Sequence, residues 1–359
     1  MFIIALHFSF GIKAYFYVNI LKTMLRFSFL MFLFLVPQLI FSTEKDSCKN
    51  NKTTPNKLTQ PSHLKKGDTI LILAPAGRIT GEEAIEAGIE LATKWGLEVI
   101  YGKHLYTINN TFAGTDEQRL GDLQNALDNP NIKAIWSARG GYGLVRIIDD
   151  LDFTEFKKHP KWIIGYSDVT ILHNKLHNLG YQTIHGQMPA TLDLDNPIQE
   201  KSIISLKKTL FGEPLKYKLP ASERNRKGKS NGQLVGGNLS ILYSMLGSDT
   251  SLDTSGKILF IEDIGEALYH IDRIMISLKR AGYFKNCKGL IVGDFRLKKN
   301  EGNTFGKTLE DIVLEAVEGT DFPVVFNFPA GHVDDNRALV LGARIELNVT
   351  ENKVNIKFD

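Results

Sequence analysis

Between residues 69 and 358, short apolar runs alternate with segments whose apolar residues recur at three and four, the pattern of strands and helices taken in turn. Residues 69–74 and 97–101 read as strands around an amphipathic helix over 82–95. Two strand-loop-helix units follow. In one, the run 133–136 ends in Ser137-Ala-Arg-Gly-Gly-Tyr-Gly143 and then an amphipathic segment over 144–151. In the other, a strand starting at Lys161 breaks at Gly165 and delivers Ser167 to the first turn of a helix carried by Val169, Leu172, Leu176 and Leu179 and ended at Gly180. Further strands are expected near Gln233, Ile258, Leu290 and Val324, with a closing antiparallel pair around 338–347 and 353–358. The pattern predicts a two-domain α/β protein. Residues 63–190 form a mostly parallel α/β domain carrying Ser167, and residues 231–359 a second α/β domain with antiparallel closing strands. Residues 191–230, with the charged run Ser222-Glu-Arg-Asn-Arg-Lys-Gly-Lys229, read as a solvated connection.

The amino terminus breaks this rhythm. Residues 1–42 are almost entirely apolar, interrupted by Lys13, Lys22 and Arg26, with a second methionine at Met24. Read from Met24, Arg26 starts a signal peptide with an apolar core over 27–36 and a region 37–42 that ends in a small residue. The core is shorter than the roughly 20 residues that span a bilayer, so cleavage is expected, with permanent anchoring as the alternative. Residues 1–43 are thus a leader, and the polar, proline-punctuated 44–62 a tether. Export to the periplasm follows, with membrane contact only through the leader. Cys48 lacks the small and apolar residues expected before a lipidated cysteine, and with Cys287 it suggests no disulfide framework.

Charge and composition narrow the partners. The 43 basic and 40 acidic residues nearly cancel, leaving +3, and no basic stripe is interleaved with aromatics, so nucleic acid is not an expected partner. With 43% hydrophobic residues in 359, both domains can own a core.

The candidate chemistry sits where strands end. Ser167 alone fits a helix N-cap as readily as a nucleophile. The glycines at 140, 141 and 143 fit a tight turn, an oxyanion or a phosphate, the last weakly, since neither GxxxxGK[ST] nor GxGxxG is present. In one parallel sheet both loops would lie at its carboxyl edge. Later strands run into Glu262-Asp263-Ile-Gly-Glu266 and Ala330-Gly-His332. Glu262 could cap the helix of Ile271, Ile274, Met275 and Leu278, and His332 could be a loop histidine. Together Ser167, Glu262 and His332 supply a nucleophile, an orienting carboxylate and a general base. Gly165-Tyr-Ser-Asp-Val169 departs from the GxSxG elbow, which disfavours the ordinary α/β-hydrolase fold. His173 and His177 are spaced i, i+4 without a third ligand; they are expected on the helix surface, and neither a metal nor a cofactor is called for.

Through Leu71-Ile-Leu-Ala-Pro-Ala-Gly77, Phe112-Ala-Gly-Thr-Asp-Glu-Gln-Arg119, Ala138-Arg-Gly-Gly-Tyr-Gly143, Ile164-Gly-Tyr-Ser-Asp168, His185-Gly-Gln187, Gly236-Gly-Asn238, Ile261-Glu-Asp-Ile-Gly-Glu266 and Gly331-His332, the chain resembles the LD-carboxypeptidases of peptidoglycan recycling over roughly residues 64–358. That family shares a fold with the microcin C immunity serine peptidases. The resemblance implies that Ser167 is the nucleophile, His332 its base and Glu262 the orienting acid, with Glu266 competing. It implies an oxyanion hole from the NH groups of Asp168 and Gly140, with Gly141 as fallback, and a homodimer; with Ser167 in the first domain and Glu262 and His332 in the second, the active site would lie in the interdomain cleft. The bond cut would precede the terminal D-alanine of a cell-wall tetrapeptide, so an exported member departs from the family's familiar cytoplasmic setting. A free terminal carboxylate calls for a cation or backbone donors near the nucleophile. Arg139 is the candidate, although it could equally brace its loop; Tyr142, Gln187 and Asn238 are further pocket candidates. Two other functions stay open: a peptidase of the same fold that inactivates a peptide-nucleotide antibiotic, with Tyr142 or Trp136 as its aromatic platform, and a non-catalytic muropeptide binder, which would have no use for a general base.

Overall fold

The computed structural model describes residues 57–298 and 305–359. The leader, Cys48 and most of the tether lie outside them. The last tether residues are packed onto the body: Thr59 exchanges backbone hydrogen bonds with Gly180 and Gln182, and Trp162 donates to Ser62 O.

Five parallel strands, β1 (Thr69–Leu73), β2 (Glu98–Tyr101), β3 (Ile132–Ser137), β4 (Trp162–Gly165) and β5 (Thr183–His185), stand in the order β5-β4-β3-β1-β2. The crossovers carry α1 (Glu86–Lys94), α2 (Asp116–Asp128), α3 (Thr154–Lys158) and α4 (Thr170–Asn178). Ile70, Ile72, Trp136 and Ile164 enter one hydrophobic core, while Leu71, Leu73, Ile135 and Ile163 enter another on the opposite face. Burial on both faces is why β1, β3 and β4 read as continuous apolar runs, whereas the edge strand β2 is mostly exposed. A capping box at Thr115 starts α2, and buried Lys161 donates to the carbonyls of Ala126 and Leu127 at its end.

The second sheet is mixed. It contains β6 (Lys216–Pro220), β7 (Gly228–Asn238), β8 (Ile258–Ile264), β9 (Gly289–Arg296) and β10 (Val324–Val325), with β12 (Arg344–Val349) and β13 (Lys353–Phe358), in the order β10-β9-β8-β7-β12-β13-β6. The strands β7 to β10 are parallel neighbours, and β12, β13 and β6 are antiparallel. Helices α6 (Leu239–Ser244), α7 (Leu268–Arg280) and α8 (Leu309–Ala316) connect the parallel part.

Four expectations change. The pair over 338–347 and 353–358 is split, because β11 (Leu339–Leu341) adds antiparallel to β5 on the first sheet and the chain turns at Gly342, φ 86°, before β12. That strand covers what would otherwise be an open edge, a long-range need no local pattern announces. Residues 191–230 hold more than a connection: α5 (Glu200–Phe211) buries Leu206 and Leu210 in the core of the first sheet, and β6 edges the second. Residues 144–151 form two 3₁₀ turns, Leu144–Arg146 and Ile148–Asp150, instead of an α-helix. Their buried Leu144, Ile147, Ile148 and Leu151 satisfy a three-and-four spacing that short turns meet as well. Finally, α4 is wedged between the two sheets, so His173 is wholly buried and bonded through Nε2 to Gly165 O rather than lying on a helix surface. The same helix ties the halves together, since Asn238 N donates to Thr170 Oγ1 at 3.0 Å.

Candidate active site

Strand β4 ends at Gly165, and two residues later Ser167 takes φ 64°, one of three non-glycine residues with positive φ among the described residues. A side chain in that region costs about 1–3 kcal/mol, a strain that clusters at functional sites. Ser167 is the first residue of a 3₁₀ turn whose N-cap position falls to Tyr166, and among the described residues its hydroxyl caps nothing, so the N-cap alternative fails. The turn leaves it partly exposed between buried Tyr166 and Asp168.

The glycine loop lies directly against it. A β-carbon built on Gly140 would stand 2.8 Å from Ser167 Cβ and 3.1 Å from its Oγ, and one on Gly77 would meet Gly140 O at 2.7 Å. No residue but glycine fits either place. Among the described residues, the NH groups of Gly140 and Asp168 donate no hydrogen bond within the protein. The side chain of Asp168 clamps loop to elbow by accepting from Leu144 N at 2.9 Å. Burial pushes its carboxyl up to about 6, partly offset by that bond and by the Arg119 guanidinium. Arg119 is the brace that the sequence reading missed. It is buried, donates to Pro75 O and Gly143 O at 3.1 and 2.9 Å, and pairs with Asp116. It shares the buried face of its helix with Asp122, Leu123, Ala126 and Leu127, and nothing local marks it as a brace. Arg139, by contrast, is exposed, bonded to Arg78 O, and lines a cavity of about 400 Å³ with Gly77, Arg78, Asn110, Thr111 and Gly141. Tyr142 is exposed against Phe112, whereas Trp136 is fully buried and donates to Gln187 O, which leaves it no free face for a nucleobase.

On the second sheet, β8 holds Glu262 fully buried, with Oε2 2.7 Å from His332 Nδ1. A carboxylate only accepts, so this contact selects the tautomer with its proton on Nδ1, in which Nε2 is the basic nitrogen. Glu266 does not compete for this ring; it pairs with His270 and accepts from Ser240 Oγ. Asp263, on the opposite face of β8, takes hydrogen bonds from Asn238 Nδ2, Ser240 N and Oγ, and Ile264 N, and burial pushes it up to about 6.

The histidine loop is held from both sheets. Gly331, φ 122°, has no room for a β-carbon, which would stand 2.9 Å from Glu262 Cβ. Gly331 N donates to Asn336 Oδ1 at 2.9 Å, Asn336 Nδ2 to Gln187 Oε1 at 3.1 Å, and Gln187 Nε2 to Thr191 O at 2.8 Å. Asn336 is a second residue that sequence reasoning missed. Gln187 and Asn238 are buried with their amides engaged by the protein, Asn238 Oδ1 capping α6.

The edge of the Tyr166 ring meets His332 at 5.0 Å between centroids, so the imidazole lies beside the residue that precedes Ser167. Among the described residues no hydrogen bond yet joins Ser167 Oγ to the ring. Such bonds commonly close only around bound substrate.

Comparison with known proteins places the chain in a family. The model of the LD-carboxypeptidase N-terminal domain matches residues 70–186, and that of the C-terminal domain residues 231–347. The chain is 36% identical to a probable murein peptide carboxypeptidase of Bacillus subtilis, over 83% of this chain and 94% of that one. It is 32% identical to the murein tetrapeptide carboxypeptidase of Pseudomonas aeruginosa, over 76% and 91%. Among solved structures, muramoyltetrapeptide carboxypeptidase from Oxalobacter formigenes superposes with a TM-score of 0.73 at 28% identity, covering 81% of this chain and 98% of that one. MccF in complex with glutamyl sulfamoyl guanosine, at TM-score 0.75 and 22% identity, covers 84% and 98% and shares the fold. A serine poised against a glycine loop, an imidazole on a buried glutamate, and both domain models matched in order lead to one conclusion: the chain belongs to the LD-carboxypeptidase family.

Proposed function

We propose that the protein is a serine LD-carboxypeptidase that removes the terminal D-alanine from a cell-wall tetrapeptide. The observation that carries the reading is the pairing of a strained Ser167 under Gly140 with a His332 whose Nδ1 is held by buried Glu262. His332 Nε2 takes the proton as Ser167 attacks the scissile carbonyl, a service usually worth about 10²- to 10⁴-fold. Glu262 fixes the tautomer and stabilises the imidazolium. Negative charge on the carbonyl oxygen meets the uncommitted NH groups of Gly140 and Asp168, each such donor being worth on the order of 3 kcal/mol. His332 then protonates the departing amine, and water releases the acyl-enzyme.

The test is to incubate protein starting at Glu44 with a muropeptide tetrapeptide and follow D-alanine release by mass spectrometry. Intact tetrapeptide sinks the reading. Export belongs to the same proposal, because a periplasmic enzyme meets mature cell-wall peptides. Cell fractionation with terminal sequencing of the native protein tests it, and a chain still beginning at Met1 or Met24 and recovered from the cytoplasm removes it. A homodimer is the proposed assembly; a monomer in sedimentation at assay concentration removes that.

A further inference from the structure

We propose that Arg296 receives the free carboxylate of the substrate's terminal residue and thereby makes the site an exopeptidase; this rests on the function proposed above. The chemistry sets where such a cation must stand. The departing amine leaves beside the imidazole that protonates it, and a single α-carbon separates that amine from the terminal carboxylate. The receptor therefore belongs on the His332 side of Ser167, beyond the ring, and not behind the oxyanion loop.

Strand β9 occupies that side. It runs beside β8 with Ile264 paired to Arg296, so Arg296 ends the strand next to the one that carries Glu262. The histidine loop is laid directly on β9. Asp294 N donates to Ala330 O at 2.9 Å, and a β-carbon on Gly293 would stand 2.5 Å from Ala330 O and 3.3 Å from Glu262 Cβ. Asp294 and Arg296, two residues apart, share a face of the strand.

The guanidinium is nevertheless uncommitted. Its one ion pair among the described residues is to Asp294 Oδ2 at 3.7 Å, too long for a hydrogen bond, and its side chain is 54% exposed. Burial raises the Asp294 carboxyl and the nearby Arg296 charge opposes that rise, as it also does for buried Tyr166, so the guanidinium lies within electrostatic reach of both. Neighbouring arginines are occupied or elsewhere. Arg337 forms a two-pronged pair with Asp335, and Arg139 is tied to Arg78 O on the glycine-loop side. A planar fork of donors suits bidentate capture of a carboxylate.

The experiment compares a tetrapeptide ending in D-alanine with the same peptide amidated at its carboxyl end. Binding is read by calorimetry in the Ser167→Ala variant, which cannot turn over. The acid form is expected to bind at least about tenfold more tightly than the amide, the discrimination to vanish when Arg296→Gln is added, and Arg296→Lys to restore part of it. In the enzyme with Ser167 intact, Arg296→Gln should raise KM far more than it lowers kcat. Discrimination that survives Arg296→Gln, or is missing from the parent, overturns the proposal. So does discrimination lost in Arg139→Gln and kept in Arg296→Gln, which places the carboxylate on the loop side. Because binding is read without turnover, failure of the parent enzyme to release D-alanine would overturn only the proposed function.

Discussion

The two halves of the site are built by different means. On the first sheet the geometry is made by the backbone: Ser167 at φ 64°, Gly140 pressed against it, and two free NH groups. On the second it is made by side chains, a wholly buried Glu262 on a strand and an imidazole hydrogen-bonded to it. The difference teaches what each half can tolerate. The first half fails chiefly when atoms are added; the second, where Gly331 is packed just as tightly against Glu262, fails in addition when a charge or a donor is removed.

The largest effect should ignore that distinction. Ser167→Ala and His332→Ala each remove a reacting group, and kcat for D-alanine release should fall by about 10⁴-fold or more, with the folded state intact by circular dichroism. Unchanged turnover in either rejects the roles assigned. Next comes the charge: Glu262→Gln should cost about 10³- to 10⁴-fold, while Glu266→Gln, which meets His270 instead, should stay within about tenfold. The reverse order would mean that the wrong carboxylate serves the imidazole. An added atom should follow, with Gly140→Ala losing about 10²- to 10³-fold in kcat as its methyl displaces Ser167 from the loop donors. A Gly140→Ala enzyme as fast as the parent would break the contrast between the halves.

The smallest effect is on stability against pH. Asp168, held near 6 by burial, keeps its proton when folded over a window where the unfolded chain, near 3.8, has released it. The folded state binds more protons there, so this group adds stability as pH falls from about 6 to 4. Buried His173 runs the other way: lowered to about 4, it stays neutral while the unfolded chain takes up a proton below 6.5. Asp168→Asn should therefore steepen the acid loss of stability between pH 6 and 4, measured by urea unfolding. His173→Gln should flatten it. Parallel curves for Asp168→Asn and the parent would mean that the carboxyl is not held protonated by burial.

Much of this was legible along the chain, and what was not has physical reasons. The central parallel strands β1, β3 and β4 announced themselves because burial on both faces makes them nearly uniformly apolar. Arg119 and Asn336 did not, because a buried polar residue is recognisable only by its partners, here Gly143 O and Gln187, 24 and 149 residues away. His173 was misplaced to the surface because helical periodicity reports one apolar face, and α4 is packed from two sides.

The sequence by itself determined the alternation of elements, the glycines where no β-carbon fits, and the presence of a serine, a glutamate and a histidine at strand ends, since each of these is a local property of residue type and spacing. Only the tertiary structure decided that Ser167 is strained rather than capping, that the imidazole meets Glu262 and not Glu266, and that 339–341 returns to the first sheet. Those outcomes depend on which distant surfaces are buried against one another, and a contact across 70 residues leaves no trace in the pattern of its neighbours.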